Sequence, residues 1–469
     1  MKWQPLGPAF FGGICAWVTG CSVGPAYKRP DIPLPAQWHE SAGANAGGES
    51  ASVWPAAEWW HGFGSAKLDE LIAEAQHNND DLAGAIARVQ EADAQARIAG
   101  AALLPSVDLG ASGSRQRAQT TNSGVSRLFN TFNSELSASY ELDFWGKNRA
   151  TRDAARAAAT ASRYDQQTVA LTVVSSVATT YFQALELRDR IQVAQQNLDN
   201  GQKILDGFRL ELSAGTATGL DVAQQETTVA ILNAAIPPLL QQFRQTVHAL
   251  AVLIGETPES VDVDMGTLTN LSSPAIAEGL PSQLLSRRPD VASAEQQLIA
   301  ANADITVARA ALFPNIQLTA AGGYQSQSLT SFVNPRNQVY SIAAGLTQPI
   351  FHGGAIRGQV AFSKARYTEL LTTYHKTVLT AFTNVEDALV AAQQTAEQQK
   401  RQQDAVATAR RAYEFAQKQM SAGTVNILTV LNTENALFSA QDQLVQVNFL
   451  HLQALVNLFI ALGGGWHVG

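Results

Sequence analysis

The sequence is poor in several things that a chain of its size commonly uses. In 469 residues it has 2 cysteines, 3 methionines and 17 prolines, with 7% aromatic and 15% charged side chains. Both cysteines, Cys15 and Cys21, lie at the extreme N-terminus, which excludes a disulfide framework and thiolate-metal chemistry in the rest of the chain. A net charge of −8 excludes a broad basic surface for nucleic acid. No run of about 18 consecutive apolar residues occurs, so no segment reads as a transmembrane helix. Phe449 to Leu462 comes nearest and is interrupted by His451, Gln453 and Asn457. If this chain crosses a bilayer, it does so with strands. The 8 histidines are scattered, without the His-Glu-x-x-His spacing of a zinc helix. Gly463-Gly464-Gly465-Trp466 does not sit between a strand and a helix, as a phosphate loop would. No catalytic constellation, metal or cofactor is expected.

The N-terminus carries a processing signal. Lys2 precedes a short apolar run, Ala9 to Val18, too short to span a membrane and suited to a signal peptide over residues 1–20. It ends in Val18-Thr19-Gly20-Cys21, which looks like a bacterial lipobox. A thiol accepts the lipid, and small residues before it admit the peptidase. Cys21 is therefore the expected lipidated, palmitate-bearing first residue of the mature chain. Ser22 after it goes, in resembling lipoproteins, with outer-membrane sorting.

What the chain has in abundance is itself, written twice. Asp81 to Leu109 pairs with Asp290 to Leu318 at an offset of about 208 residues, with Pro105 matching Pro314. Phe144-Trp145-Gly146 resembles Phe351-His352-Gly353. Ser213-Ala214-Gly215-Thr216 returns as Ser421-Ala422-Gly423-Thr424, and residues 248–255 match 456–463. Landmarks in the same order define a first repeat over 66–270 and a second over 280–465, after a linker segment at 21–65.

Within each repeat the period switches twice. Residues 68–103 and 280–312 read as helices, stopped by proline. Alternation comes next. Val107, Leu109 and Ala111 alternate with Asp108, Gly110 and Ser112, and Leu136 to Phe144, Ile316 to Ala320 and Tyr340 to Leu346 do the same. Four strands of about ten residues, the length of a tilted membrane strand, are expected in hairpins over 106–145 and 315–351. Tyr140, Phe144, Trp145, Tyr324, Tyr340 and Phe351 lie near their ends, where interfacial girdles sit, and 113–133 and 325–337 read as extracellular loops. Two hairpins on a soluble core would alternate as well. Four strands cannot close a barrel, and an open edge in lipid leaves backbone groups unsatisfied, so the membrane reading requires oligomerisation.

Beyond each hairpin lies a proline-free stretch, 147–211 and 354–420, each about 100 Å long if helical. Leu171, Val174, Ala178, Tyr181 and Leu185 form a heptad seam, echoed by Val378, Phe382, Val385 and Leu389; a soluble coiled-coil bundle would show the same. The two Ser-Ala-Gly-Thr motifs close these helices. Gly215 and Gly423 suit the left-handed helix stop, Thr216 and Thr424 can cap the next helix, and a new apolar pattern starts at Leu220 and Leu428. Tip turns are expected at 213–218 and 421–426. Arg287-Arg288-Pro289-Asp290 reads as a helix start with proline first and a carboxylate on its dipole, in preference to an anion site.

Together the residues resemble the TolC-like outer membrane factor family, in particular its OprM/NodT-type lipoprotein branch. The resemblance runs through Trp59-Trp60, Leu82, Arg88-Val89, Ala102-Leu103-Leu104-Pro105, Leu142-Asp143-Phe144-Trp145-Gly146, Ser286 to Val291 and both tips. It implies an α+β membrane protein. Long α-helices form a periplasmic α-barrel, and four transmembrane β-strands per protomer contribute to a trimeric 12-stranded β-barrel in the outer membrane. It implies a homotrimer meeting a periplasmic adaptor and an inner-membrane pump, proton-driven by analogy. Ser213, Ala214, Gly215, Thr216, Leu220 and Asp221, with Ser421, Ala422, Gly423 and Thr424, then become adaptor-contacting tips. Leu428, Thr429 and Asn432 become the periplasmic gate. Where the family often places a carboxylate ring, this chain has Asn432, so a gate without fixed charge is expected. The expected function is a passive exit duct for small-molecule efflux. Protein export through the same duct and a pore-less lipid-anchored scaffold are the alternatives.

Overall fold

A computed structural model of the protein describes residues 23–33, 35, 37–40, 57–119, 126–261, 266–274, 276 and 281–464. The expected signal peptide and Cys21 lie outside them. The described residues form eight α-helices and four strands: α1 (Ala66–Asn78), α2 (Asp80–Ala101), β1 (Ser106–Gln119), β2 (Ser126–Glu141), α3 (Lys147–Ser213) and α4 (Gly219–Leu253), then α5 (Pro281–Arg287), α6 (Pro289–Ala310), β3 (Asn315–Ser326), β4 (Gln338–Thr347), α7 (Ala355–Ser421) and α8 (Ile427–Ala461). The two halves correspond helix for helix. α2 and α6 each have 22 residues, α3 and α7 each have 67, and α4 and α8 each have 35.

Two expected elements come out differently. The helix expected over 68–103 is broken at Asn79. Its backbone is extended, its side-chain oxygen accepts from the Leu82 N–H at 3.0 Å, and its amide donates to the Leu253 carbonyl at 2.8 Å. It caps α2 as an N-cap asparagine should. The helix expected over 280–312 breaks at Arg288, because the residue before a proline avoids helical backbone. Pro289 starts α6 as its sequence implied. The donors of Arg288 go to Asp290 at 2.8 and 3.0 Å and to the Ala461 carbonyl at 3.1 Å, a structural anchor.

The chain divides into two compact units that draw on both halves. The first holds Arg88–Ser162 and Ser293–Tyr374, with the N-terminal segment up to Asp31. Its strands form one antiparallel meander, β1-β2-β3-β4. β1 and β2 have 14 and 16 residues, longer than the expected ten, so pairing runs far into what reads in sequence as a loop over 113–133. The register separates two faces. One carries Val107, Leu109, Leu136, Ala138, Ile316, Leu318, Ile342 and Leu346; the other carries Asp108, Ser112, Ser137, Glu135, Gln317 and Thr319. Leu109 is 76% and Ile342 83% exposed, so no described element covers the apolar face. A sheet of this kind needs an apolar surrounding. Strand contact is also tight: a Cβ on Gly323 would collide with the Ser134 carbonyl.

At the foot of the sheet, Asp143-Phe144-Trp145-Gly146 turns β2 into α3. Asp143 accepts the backbone N–H groups of Asn148 and Arg149, both at 2.9 Å, and holds the Arg149 guanidinium at 3.0 Å. Trp145 stacks on Phe313 at 4.6 Å and donates to the Pro314 carbonyl at 2.8 Å. Gly146 has φ 77°, which a side chain would strain. The N-terminal segment is strapped along α6. Arg309 donates to the Val23 carbonyl at 3.4 Å, Asn302 to that of Pro25 at 3.0 Å, and Arg29 pairs with Glu295 at 2.9 Å.

The second unit holds Ile32–Ala87, Arg163–Ala292 and the chain from His375 onward. Its main core joins Trp59, Phe63, Leu68 and Ile72 to Val174, Val177, Ala178, Tyr181, Phe182 and Leu185 of α3, with Leu250 of α4 and Leu452, Val456 and Phe459 of α8. The expected α3 seam is therefore a packing seam, with Leu171 at its half-buried end. α3 and α8 each contain a stretch apolar enough to cross a membrane by composition alone. Half of each stretch is buried among these partners.

Candidate functional site

The two Ser-Ala-Gly-Thr motifs fold identically, and each letter has a use. At the first tip the Gly215 N–H donates to Leu212 at 3.0 Å and the Thr216 N–H reaches back to Glu211 at 2.9 Å. At the second, Gly423 donates to Met420 at 2.8 Å and Thr424 to Gln419 at 2.9 Å. This double bond pattern, with glycine φ values of 75° and 70°, is the Schellman helix stop. The Ser213 and Ser421 hydroxyls donate to Leu210 and Lys418 at 2.7 and 2.8 Å. The Thr216 and Thr424 hydroxyls double the bonds to Glu211 and Gln419 at 3.0 and 2.9 Å. Both threonines thus finish the incoming helix. They do not cap the outgoing one, because their hydroxyls are already bound to the helix before it. Among the motif residues, all eight are exposed, including Ala214 and Ala422.

The outgoing caps come later and differ. Thr218 caps α4 in a reciprocal box: it accepts from the Asp221 N–H at 3.3 Å, and Asp221 accepts from the Thr218 N–H at 2.8 Å. These bonds to Thr218, hydroxyl first and backbone second, hold the Asp221 carboxyl below its ordinary pKa. Asn426 caps α8, accepting from the Thr429 N–H at 3.2 Å and its hydroxyl at 3.1 Å. Leu220 and Leu428, where a new apolar pattern starts, are themselves 66% and 48% exposed. The tip core is built instead from Leu205, Phe208, Val222, Ile427 and Leu431.

α8 consequently has two faces near the tip. Ile427, Val430, Leu431, Glu434, Leu437 and Phe438 are buried. Leu428, Thr429, Asn432, Asn435, Ala436 and Ser439 are exposed, and none of them carries a charge. The gate candidates Leu428, Thr429 and Asn432 share this neutral face at helical spacing.

One residue went unnoticed in the sequence. Glu434 is fully buried, and neither of its carboxylate oxygens has a hydrogen-bond partner. Burial pushes its pKa up to about 7. Nearby Tyr413 is pushed up to about 12, by burial first and by Glu434 second, and accepts from Gln417 at 2.7 Å. The repeat held the clue. Glu226 stands at the matching place in the first half and pairs with Arg209 at 2.9 Å. The place matching Arg209 in the second half is Gln417, so the carboxylate survives there without its cation. Among the described residues, no group of three or more His, Cys, Asp or Glu is arranged to hold a metal ion.

A four-stranded sheet with an exposed apolar face, 67-residue helices and two exposed turns are the features of an outer-membrane protein class. Sequence comparison agrees. The profile of the outer membrane efflux protein family matches residues 71–256 and 280–464. The chain belongs to that family. It is 41% identical over 464 residues to the pyoverdine export outer membrane protein OpmQ of Pseudomonas aeruginosa, covering 96% of this chain and 95% of that one. It is 32% identical to the cation efflux system protein CusC of Escherichia coli, with 96% of each chain covered. Its fold superposes on the outer-membrane channel OprN with a TM-score of 0.89 at 26% identity, covering 95% of this chain and all of that one. For a CusC crystal structure the TM-score is 0.85 at 30% identity, with 95% and 100% covered. The protein is an outer-membrane efflux channel with a long helical periplasmic extension. Its relatives are transport proteins.

Proposed function

We propose that the chain is the exit duct of a tripartite efflux system, working as a homotrimer. The sheet carries the assembly argument. Its order leaves β1 and β4 as edges, and unpaired backbone groups in lipid cost several kcal/mol each. Closure of three copies into twelve strands removes every edge, and the long helices of three copies then enclose a periplasmic tunnel. Residues 66–270 and 280–465 are two copies of one unit, as their equal helix lengths support. Cys21 carries the lipid anchor.

The tips are the adaptor contacts: Ser213, Ala214, Gly215, Thr216, Leu220 and Asp221, and Ser421, Ala422, Gly423 and Thr424. Their polar groups are largely engaged within the turn, so shape and the exposed small side chains supply the docking surface. Leu428, Thr429 and Asn432 line the gate. No chemistry is required of the chain; an inner-membrane pump, proton-driven by this reading, supplies the energy. The cargo is a small molecule, in keeping with the export and efflux names of the relatives. The observation that carries the reading is the exposed apolar face of a four-stranded sheet with two open edges. Purified protein added to a planar lipid bilayer tests it. Discrete, persistent conductance steps are expected. A trimer that binds the bilayer without conducting would support a scaffold instead.

A further inference from the structure

The apolar face of the sheet has a charged end. Along its described strand positions the face carries no aspartate, glutamate or lysine. Its charges are Arg115 and Arg117, adjacent same-face positions on β1 opposite Asn130 and Leu128. The other face holds Asp108, Glu135 and Glu141. Charge on the apolar face is therefore of one sign and gathered at one end.

The height of that end matters. Arg115 and Arg117 stand eight and ten residues beyond Val107, where the face begins. At about 3.4 Å per residue and a strand tilt of about 40°, Arg117 lies ~26 Å above Val107 along the membrane normal. The apolar band of an outer-membrane barrel is ~25 Å tall. Phe132 and Tyr324, on the same face, fall just below the arginines, where an aromatic girdle belongs. Both arginines are exposed, and Arg117 Nε donates to Ser126 Oγ at 3.1 Å, which steadies its stem along the strand pair. The hairpin that carries them outreaches its neighbour: β3 ends at Ser326, which is level with Phe132 and Gly113.

We propose that Arg115 and Arg117 form a binding site for the phosphate groups of lipid headgroups in the outer leaflet, on the outer wall of the barrel. A guanidinium pairs with a phosphate through two parallel N–H donors, and its long apolar stem lets it reach from the band edge into the headgroup layer. Acyl chains would lie on Leu109, Leu136 and Ile342 below, continuous with the site. Each protomer contributes one such pair. The inference rests on the sheet's apolar face meeting lipid, as the channel reading requires.

Purified wild-type trimer and an Arg115→Gln/Arg117→Gln variant would be titrated with phosphorylated lipid A in detergent, and bound lipid counted by native mass spectrometry. The variant should bind at least ~10-fold more weakly. Dephosphorylated lipid A should bind wild type as weakly as it binds the variant, and millimolar inorganic phosphate should not compete. Glu135→Gln, on the opposite face, should leave binding unchanged. An Arg115→Lys/Arg117→Lys pair, keeping charge without the fork, should fall between. Unchanged lipid A binding by the glutamine variant, or equal binding of the dephosphorylated lipid, overturns the proposal. Bilayer conductance of the same samples keeps the two readings apart. A variant that conducts normally but has lost lipid A supports the site, whereas wild type without conductance contradicts the channel.

Discussion

The two tips of this molecule share a turn and differ in what stands behind it. Their Ser-Ala-Gly-Thr hydrogen bonds agree to within a few tenths of an ångström, and both glycines sit in the left-handed region. Behind the first, Glu226 is exposed and paired with Arg209, and Asp221 is bound into a capping box. Behind the second, Glu434 is buried without a partner, and the exposed face of α8 is neutral. The turn is the same in both halves, and the charged groups behind it differ.

The largest difference should appear with pH. An exposed glutamate loses its proton near pH 4.5, whereas Glu434 in the folded helices keeps it until about 7. Between those values the folded state binds a proton that the unfolded state lacks, so stability falls as pH rises and levels off above pH 7. The shift corresponds to about 3 kcal/mol of local stability at the second tip. Hydrogen exchange of residues 427–440, corrected for intrinsic rates, should show faster opening at pH 8 than at pH 5. Glu434→Gln should abolish most of that difference, and residues 219–232 of the first tip should show little of it. Equal pH responses at the two tips would erase the distinction.

Substitution of the turn glycines should instead treat the tips alike. A Cβ at Gly215 or Gly423 meets no other atom within 4 Å, so the cost comes from φ alone, about 1–2 kcal/mol. Gly423→Val should distort the turn and abolish site-specific crosslinking of the tip to its adaptor while trimers persist on native gels. Undiminished crosslinking would contradict the docking role. Cap removal comes next: Thr218→Ala and Asn426→Ala should each cost about 1 kcal/mol, read as fraying of the first turn of α4 or α8. The smallest effect belongs to Arg209→Gln, which makes the first tip resemble the second. An exposed ion pair contributes less than about 1 kcal/mol, and often nothing measurable, so exchange at the first tip should change little. A large effect there would show that the pair, and not burial, separates the two.

Much of the fold is legible in the sequence because its signals are periodic and doubled. Proline positions mark where helices give way to strands, and alternation marks the two faces of the sheet. The repeated tetrapeptide marks the tips to the residue. Failures have local causes. Asn79 breaks a helix through a tertiary bond to Leu253, which a one-dimensional pattern does not contain. The length of β1 beyond Gly113 is hidden because its residues there are polar at almost every position. Thr216 and Thr424 look like caps for the next helix until their hydroxyls are seen to serve the previous one. Glu434 reads as an ordinary surface glutamate until α8 is wound and its neighbours are counted as core.

By the proposed reading, a channel passes through the trimer and its narrow end, at Leu428, Thr429 and Asn432, carries no fixed charge. Reversal potential across a planar bilayer, measured with single trimers under a potassium chloride gradient, addresses both halves at once. A conducting pore with weak preference for cations is expected, made strongly cation-selective by Asn432→Asp. A pore that is already strongly cation-selective, and loses that preference in Asn432→Ala, would contradict it.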